Sequence, residues 1–167
     1  MVIANANISL ENADGILRGA YRFANFTSEN GDSKQHVTLM GSGAIFLEVL
    51  KAAKLLVAQG IDVEVISVTS WSELARDGRA CVDQVNKTIA HLTGLLSKSK
   101  GPVLAASDYV CAVTESVRAF IPEGRHFKTL GTDGFGRSDT RAALRDYFEV
   151  DAAAIVRAAT SMLTSRT

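Results

Sequence analysis

The apolar residues of this chain switch back and forth between two spacings, and that alternation restricts the fold more than any other feature. HVTLMG (36–41), IDVEVISV (61–68), PVLAAS (102–107) and HFKTLGT (126–132) are short apolar or β-branched runs, the pattern of buried strands. Helical spacing separates them. From Ile45 to Gln59 the apolar positions Ile45, Phe46, Val49, Leu50, Ala53, Leu56 and Val57 fall on one helix face, and Gly60 stands where a helix C-terminal glycine belongs. A short helix from Trp71 to Ala75 is broken at Asp77-Gly78. A longer one runs from Ala80 to Leu96, with Val82, Val85, Ile89, Leu92 and Leu95 on one face. SKSKG (97–101) is a polar exit loop, and Val110 to Phe120 reads as a helix stopped before Pro122. Thr140 to Phe148 is a short helix offering Leu144, Tyr147 and Phe148 to the core. Asp151 caps the last helix, with Val150 and Ile155 spaced as a hydrophobic staple.

Strands alternating with helices imply parallel pairing through crossovers, and near-continuous apolar strands imply cover on both faces. The expected fold is α/β: a three-layer α/β/α sandwich around a mixed five-stranded sheet with one antiparallel strand. That strand lies near Ala20 to Phe26. The polar stretch TSENGDSKQ (27–35), with a turn at Asn30-Gly31, joins it to 36–41, and two strands so joined are most simply antiparallel. Residues 1–14 are polar and read as a loosely ordered N-terminal segment, leaving 15–167 as a single domain.

Charge and cysteines exclude several functions. Lys plus Arg and Asp plus Glu are 18 each, so no net field favours nucleic acid or an anionic membrane. No run of about 20 apolar residues could span a bilayer. MVIANANISLENADG lacks the basic start and apolar stretch of a secretory signal. Cys81 and Cys111 lack metal-like spacing and read as two buried thiols of a reducing, cytoplasmic protein.

Three places invite a chemical role. GSGAIF (41–46) sits between a strand and a helix like a dinucleotide fingerprint, but Phe46 takes the third glycine position. The next strand ends in Ser67-Val68-Thr69 without the acid that holds a ribose. A tight turn into a capped helix is the favoured reading. His36, His91 and His126 are scattered and form no catalytic pairing. Asp108-Tyr109 follows a parallel strand at its carboxyl end, where open sheets bind ligands, though Asp108 serves equally as a helix cap. GTDGFGRSDTR (131–141) also follows a strand. Its glycines and Asp133-Gly134 fit a shaped turn, Ser138 or Asp139 can cap the next helix, and Arg137 and Arg141 can pair with Asp133, Asp139 or a partner chain.

Several segments, in order, give the chain a family likeness. GILRGAYRF (15–23), LMGSGAIFLEVLKAAKLL (39–56), SVTSWSELARDG (67–78), PVLAASDYV (102–110) and TLGTDGFGRSDTRAALRDYFEVDAAAIVRAA (129–159) resemble the C-terminal domain of homodimeric, bacterial-type pyruvate dehydrogenases. After Arg76-Asp77-Gly78 the chain departs from that pattern and reads RACVDQVNKTIAHLTGLLSKSKG, which leaves a relative acting on another short 2-oxo acid open. The resemblance implies a transketolase-type C-terminal domain. It implies a cytoplasmic parent enzyme, downstream of glycolysis, that decarboxylates pyruvate on thiamine diphosphate held by magnesium. That enzyme acetylates the lipoyl group of a dihydrolipoyl acyltransferase. Cofactor, metal and catalytic groups belong to upstream domains, so no catalytic, cofactor-binding or metal residue is carried onto this chain. What remains for it is packing on the parent's other domains and on a second copy of itself. Asp133, Phe135, Arg137, Asp139 and Arg141 are the expected docking residues. Two alternatives stay open: a stand-alone small-molecule module using Gly41–Gly43, Asp108 and Asp133, and a regulatory small-anion site at the turn before Thr140.

Overall fold

The computed structural model describes residues 10–28, 35–82 and 88–164. Its elements, in order, are α1 (Leu10–Leu17), β1 (Ala20–Phe26), β2 (His36–Gly41), a 3-10 turn (Gly43–Ile45) leading into α2 (Phe46–Ala58), β3 (Asp62–Val68), α3 (Trp71–Val82) and α4 (His91–Ser97). Then come β4 (Val103–Ala106), α5 (Cys111–Glu115), a 3-10 turn (Arg118–Phe120), β5 (Phe127–Leu130), α6 (Arg141–Tyr147) and α7 (Ala152–Thr164). The sheet order is β1-β3-β2-β4-β5, with β1 antiparallel to β3 and every other pair parallel.

Each central strand splits its side chains between two cores by period-two alternation. Val37 and Leu39 of β2, Val63 and Val65 of β3, and Leu104 and Ala106 of β4 face α2 and α7. Met40, Ile66, Val68, Val103 and Ala105 face α3 and α4. Every residue of β4 is buried, whereas β5 at the edge buries only Phe127. This is the three-layer sandwich that the apolar patterning implies. The staple at the last helix also holds: the Asp151 carboxylate accepts the Ala154 amide at 2.8 Å, and Val150 and Ile155 share one core.

The structure departs from the sequence reading at several places. Residues 10–14 are helical and belong to α1, whereas 1–9 and the Asn30-Gly31 turn lie outside the described residues. β1 and β2 run in opposite senses as expected, but they form no hairpin, because β3 lies between them and bonds to both. The helix proposed for Ala80 to Leu96 is not one element. α3 continues to Val82, and α4 begins only at His91, where the Asp77 carboxylate accepts the His91 amide at 2.7 Å. Val82 and Ile89 are 74% and 71% exposed, and Val85 lies outside the described residues. The helix after Val110 breaks into α5 and a 3-10 turn. Cys81 and Cys111 are free thiols, both only partly buried.

Asp77-Gly78 does not break α3. A Cβ at Gly78 would come within 2.4 Å of the Phe120 ring, so the glycine is there for contact. The bare backbone lets Phe120 lie against the helix and close the second core. Helix propensity alone makes Gly78→Ala stabilising by about 1 kcal/mol. Overpacking against Phe120 reverses the sign, and we expect a net loss of about 1–3 kcal/mol by urea denaturation. A midpoint at or above that of the parent would show that the ring moves aside freely.

Candidate functional site

The chain passes from β2 to β3 on one side of β2, then to β4 and β5 on the other. The strand order therefore reverses between β2 and β4, and segments leaving their carboxyl ends diverge and leave a crevice. A buried polar thread runs beneath it. The Trp71 indole N–H donates to the Ser42 hydroxyl at 3.0 Å, and the Ser42 and Ser107 hydroxyls share a 2.9 Å bond. The Ser107 hydroxyl accepts the Tyr109 amide at 3.2 Å. Ser42 thus stands at the entry to the 3-10 turn without capping it, because its hydroxyl is taken by Trp71 and Ser107. GSGAIF is a tight turn, as read, but it is fastened from below. Gly43 has a φ of +55°, and a Cβ there would meet the Asp108 carboxylate at 2.9 Å. Asp108 caps no helix; it stands exposed at the crevice.

The loop after β5 is laced onto the loop after β4. The Thr132 amide donates to the Tyr109 carbonyl at 2.9 Å, and its hydroxyl to the Asp108 carbonyl at 2.8 Å. The Asp133 carboxylate accepts the Cys111 amide at 3.0 Å and so satisfies the start of α5 from the neighbouring loop. The Asp139 carboxylate accepts the Thr140 amide at 2.6 Å. Thr140 caps α6 through a 3.3 Å bond from the Ala143 amide, a role the sequence reading gave to Ser138 or Asp139. The Arg137 guanidinium stacks 4.0 Å over the Tyr147 ring. Arg141 makes no ion pair among the described residues. Phe135 is 95% exposed. The five expected docking residues are therefore brought to one exposed edge, but neither arginine pairs with a loop aspartate. α6 buries none of its residues, and Tyr147, expected in the core, lies half exposed under Arg137.

These segments enclose a cleft of about 450 Å³. Ile45, Leu144, Phe148 and Val150 give it apolar walls, Phe135 its rim, and Arg137, Arg141 and Arg145 a cationic side. Sequence reasoning missed Arg145 and its partner Glu48. The Glu48 carboxylate is 6% exposed and accepts Arg145 at 2.9 Å, Lys51 at 2.8 Å and the Ala152 amide at 3.2 Å. It joins α2, α6 and the start of α7. Burial by itself would raise the Glu48 carboxyl, but Lys51, Ala152 and Arg145 outweigh it and hold it below the ordinary range. The sequence carried no distinct signal for it: Glu48 falls with Lys51 and Lys54 on the polar side of the predicted helix, where Lys51 looks like an ordinary surface partner.

The three histidines stay apart from the cleft. His36 begins β2 beside Asp62, the His91 ring bonds the Ala20 carbonyl, and His126 precedes β5. Among the described residues no group of three or more His, Cys, Asp or Glu could hold a metal ion, and Asp108 is the one carboxylate lining the cleft. The donor set therefore does not fit a magnesium-held diphosphate, which needs oxygen ligands.

Fold and site define a class: an open, mostly parallel α/β domain with a cationic, apolar-walled crevice at its strand-order reversal. The model of the transketolase-like C-terminal domain matches residues 19–151, and the chain belongs to that family. It is 41% identical over 157 residues to the pyruvate dehydrogenase E1 component of Haemophilus influenzae, covering 90% of this chain and 17% of the relative. It is 40% identical over 161 residues to that of Pseudomonas aeruginosa, covering 92% of this chain and 18% of the relative. The chain thus spans less than a fifth of the length of these curated relatives. A solved transketolase from Leishmania mexicana superposes with a TM-score of 0.60 at 19% identity, over 91% of this chain and 19% of the other, a likeness of fold.

Glu48 yields a prediction with a defined sign. A carboxyl lowered in the folded state contributes stability above its unfolded value, and that contribution fades as pH falls toward the folded one. Glu48→Gln is expected to lose about 3 kcal/mol near neutral pH. The gap to the parent should narrow progressively below the ordinary value of 4.5. A loss independent of pH, read by denaturation across pH 3–7, would assign Glu48 a packing role alone.

Proposed function

We propose that this chain is the architectural C-terminal domain of a thiamine-diphosphate-dependent pyruvate dehydrogenase. Such an enzyme decarboxylates pyruvate and acetylates the lipoyl group of a dihydrolipoyl acyltransferase, acting in the cytoplasm as a homodimer. The observation that carries this reading is the 40–41% identity to pyruvate dehydrogenase E1 components over nine-tenths of the chain. The cofactor and its magnesium are left in this reading to the parent's other domains. No step of the reaction is assigned to this chain. Its part is to pack on those domains and on a second subunit.

The docking surface in this reading is the loop of Asp133, Phe135, Arg137, Asp139 and Arg141. An aromatic ring standing free among polar groups is what interface centres are built from. Asp133 ties the loop to the Cys111 amide and Asp139 bonds the neighbouring Thr140 amide, which presents Phe135, Arg137 and Arg141 on a shaped turn.

Two outcomes test the proposal. The folded chain alone should show no pyruvate decarboxylation, whereas a fusion to the diphosphate- and pyrimidine-binding domains of a relative, loaded with cofactor, should turn over. A folded, loaded but inactive fusion would count against the assignment. In the active assembly Phe135→Ala should weaken dimerisation at least tenfold by analytical ultracentrifugation while leaving the melting of the isolated chain unchanged. Unaltered assembly would remove Phe135 from the interface.

A further inference from the structure

We propose that the crevice between the carboxyl ends of β2 and β4 binds a small organic anion: a carboxylate or phosphate group carried on an apolar or aromatic body. This inference shares Phe135, Arg137 and Arg141 with the docking surface proposed above but rests on the chain's own cleft, and it is tested on the chain by itself, apart from assembly. Position is the first ground. In open α/β sheets the crevice at the strand-order reversal is where ligands fit, because the loops part there and backbone ends face outward. The second is size and lining. A cleft of about 450 Å³ with mostly apolar walls and few polar groups has the proportions of a small-molecule site rather than a packing defect.

Charge gives the ligand its sign. Arg137, Arg141 and Arg145 line one cleft, and each is in a different state. Arg145 is held by Glu48, and Arg137 sits over the Tyr147 ring, which positions both without filling their donor capacity. Arg141 has no ion pair among the described residues. The loop carboxylates that might have neutralised them are turned to backbone amides instead, Asp133 to Cys111 and Asp139 to Thr140. Bringing like charges together is unfavourable unless an anion joins them. A guanidinium suits the planar, two-oxygen geometry of a carboxylate or phosphate. Asp108, which also lines the cleft, stands against Gly43 and offers an acceptor to a hydroxyl or amide hydrogen on the body of the ligand. Leu144, Phe148 and Ile45 receive the apolar part. A bare inorganic ion would leave those walls wet, and a neutral apolar molecule would leave Arg141 unused.

The test is an NMR-monitored titration of the chain with phenyl phosphate, benzoate, inorganic phosphate and benzyl alcohol. We expect saturable shifts at the amides of Ile45, Gly134 and Leu144 with phenyl phosphate or benzoate, at least tenfold tighter than with either half-probe. Whichever of the two binds more tightly identifies the anion as phosphate or carboxylate. Arg141→Ala should weaken that binding about tenfold or more. Its melting temperature should match the parent's, since Arg141 is exposed. Three results would overturn the proposal: shifts scattered over the surface without saturation, equal binding of inorganic phosphate, or an affinity unchanged in Arg141→Ala.

Discussion

Everything in this domain depends on burying both faces of the strands β2, β3 and β4. Once Leu39 faces one core and Met40 the other, neither face can be left to water, and helices must lie on both. Parallel neighbours need crossovers that carry those helices. To cover both faces, the chain moves outward from β2 in one direction and then returns to build in the other. The crevice at the carboxyl edge follows from that reversal rather than from any residue chosen for it. The Trp71–Ser42–Ser107 thread satisfies the polar groups that the reversal buries.

On this scaffold the functional edge is assembled by electrostatics of unequal strength. Glu48 itself is buried, although its donor Lys51 reaches into solvent, and through Arg145 and the Ala152 amide it fixes α6 and the start of α7 against α2. Exposed pairs such as Arg76 with Glu73 are screened and decide little. The loop 131–141 is held by the Asp133 bond to the Cys111 amide and by local bonds of Asp139 and Thr140, so its shape is set without burial. A rigid, exposed loop carrying an aromatic ring and cations suits recognition, because little conformational freedom is lost on contact.

The limits of sequence reading are visible at particular residues. Strand boundaries were legible because period-two burial is written directly into runs such as IDVEVISV. The carboxyl-edge grouping of Asp108 with 131–141 was legible because each follows a parallel strand. Gly78 misled, since a glycine that breaks a helix and one that admits a neighbouring ring look the same until Phe120 is placed. The helix through Val82, Val85, Ile89, Leu92 and Leu95 misled because helical spacing continues across the gap between α3 and α4. Tyr147 was taken for core on its chemistry, yet it serves as a platform for Arg137.

Local periodicity, and turn chemistry within a few residues, specify the class of fold, the number of strands, their succession along the chain and the residues that follow the strands at the crevice. Long-range packing, by contrast, sets β3 between β1 and β2, brings Glu48 to Arg145 across 97 positions of chain, and gathers three arginines in one cleft. Those facts depend on which apolar faces seal against each other. That choice is made by the summed burial of the whole core, so no short stretch of sequence contains it.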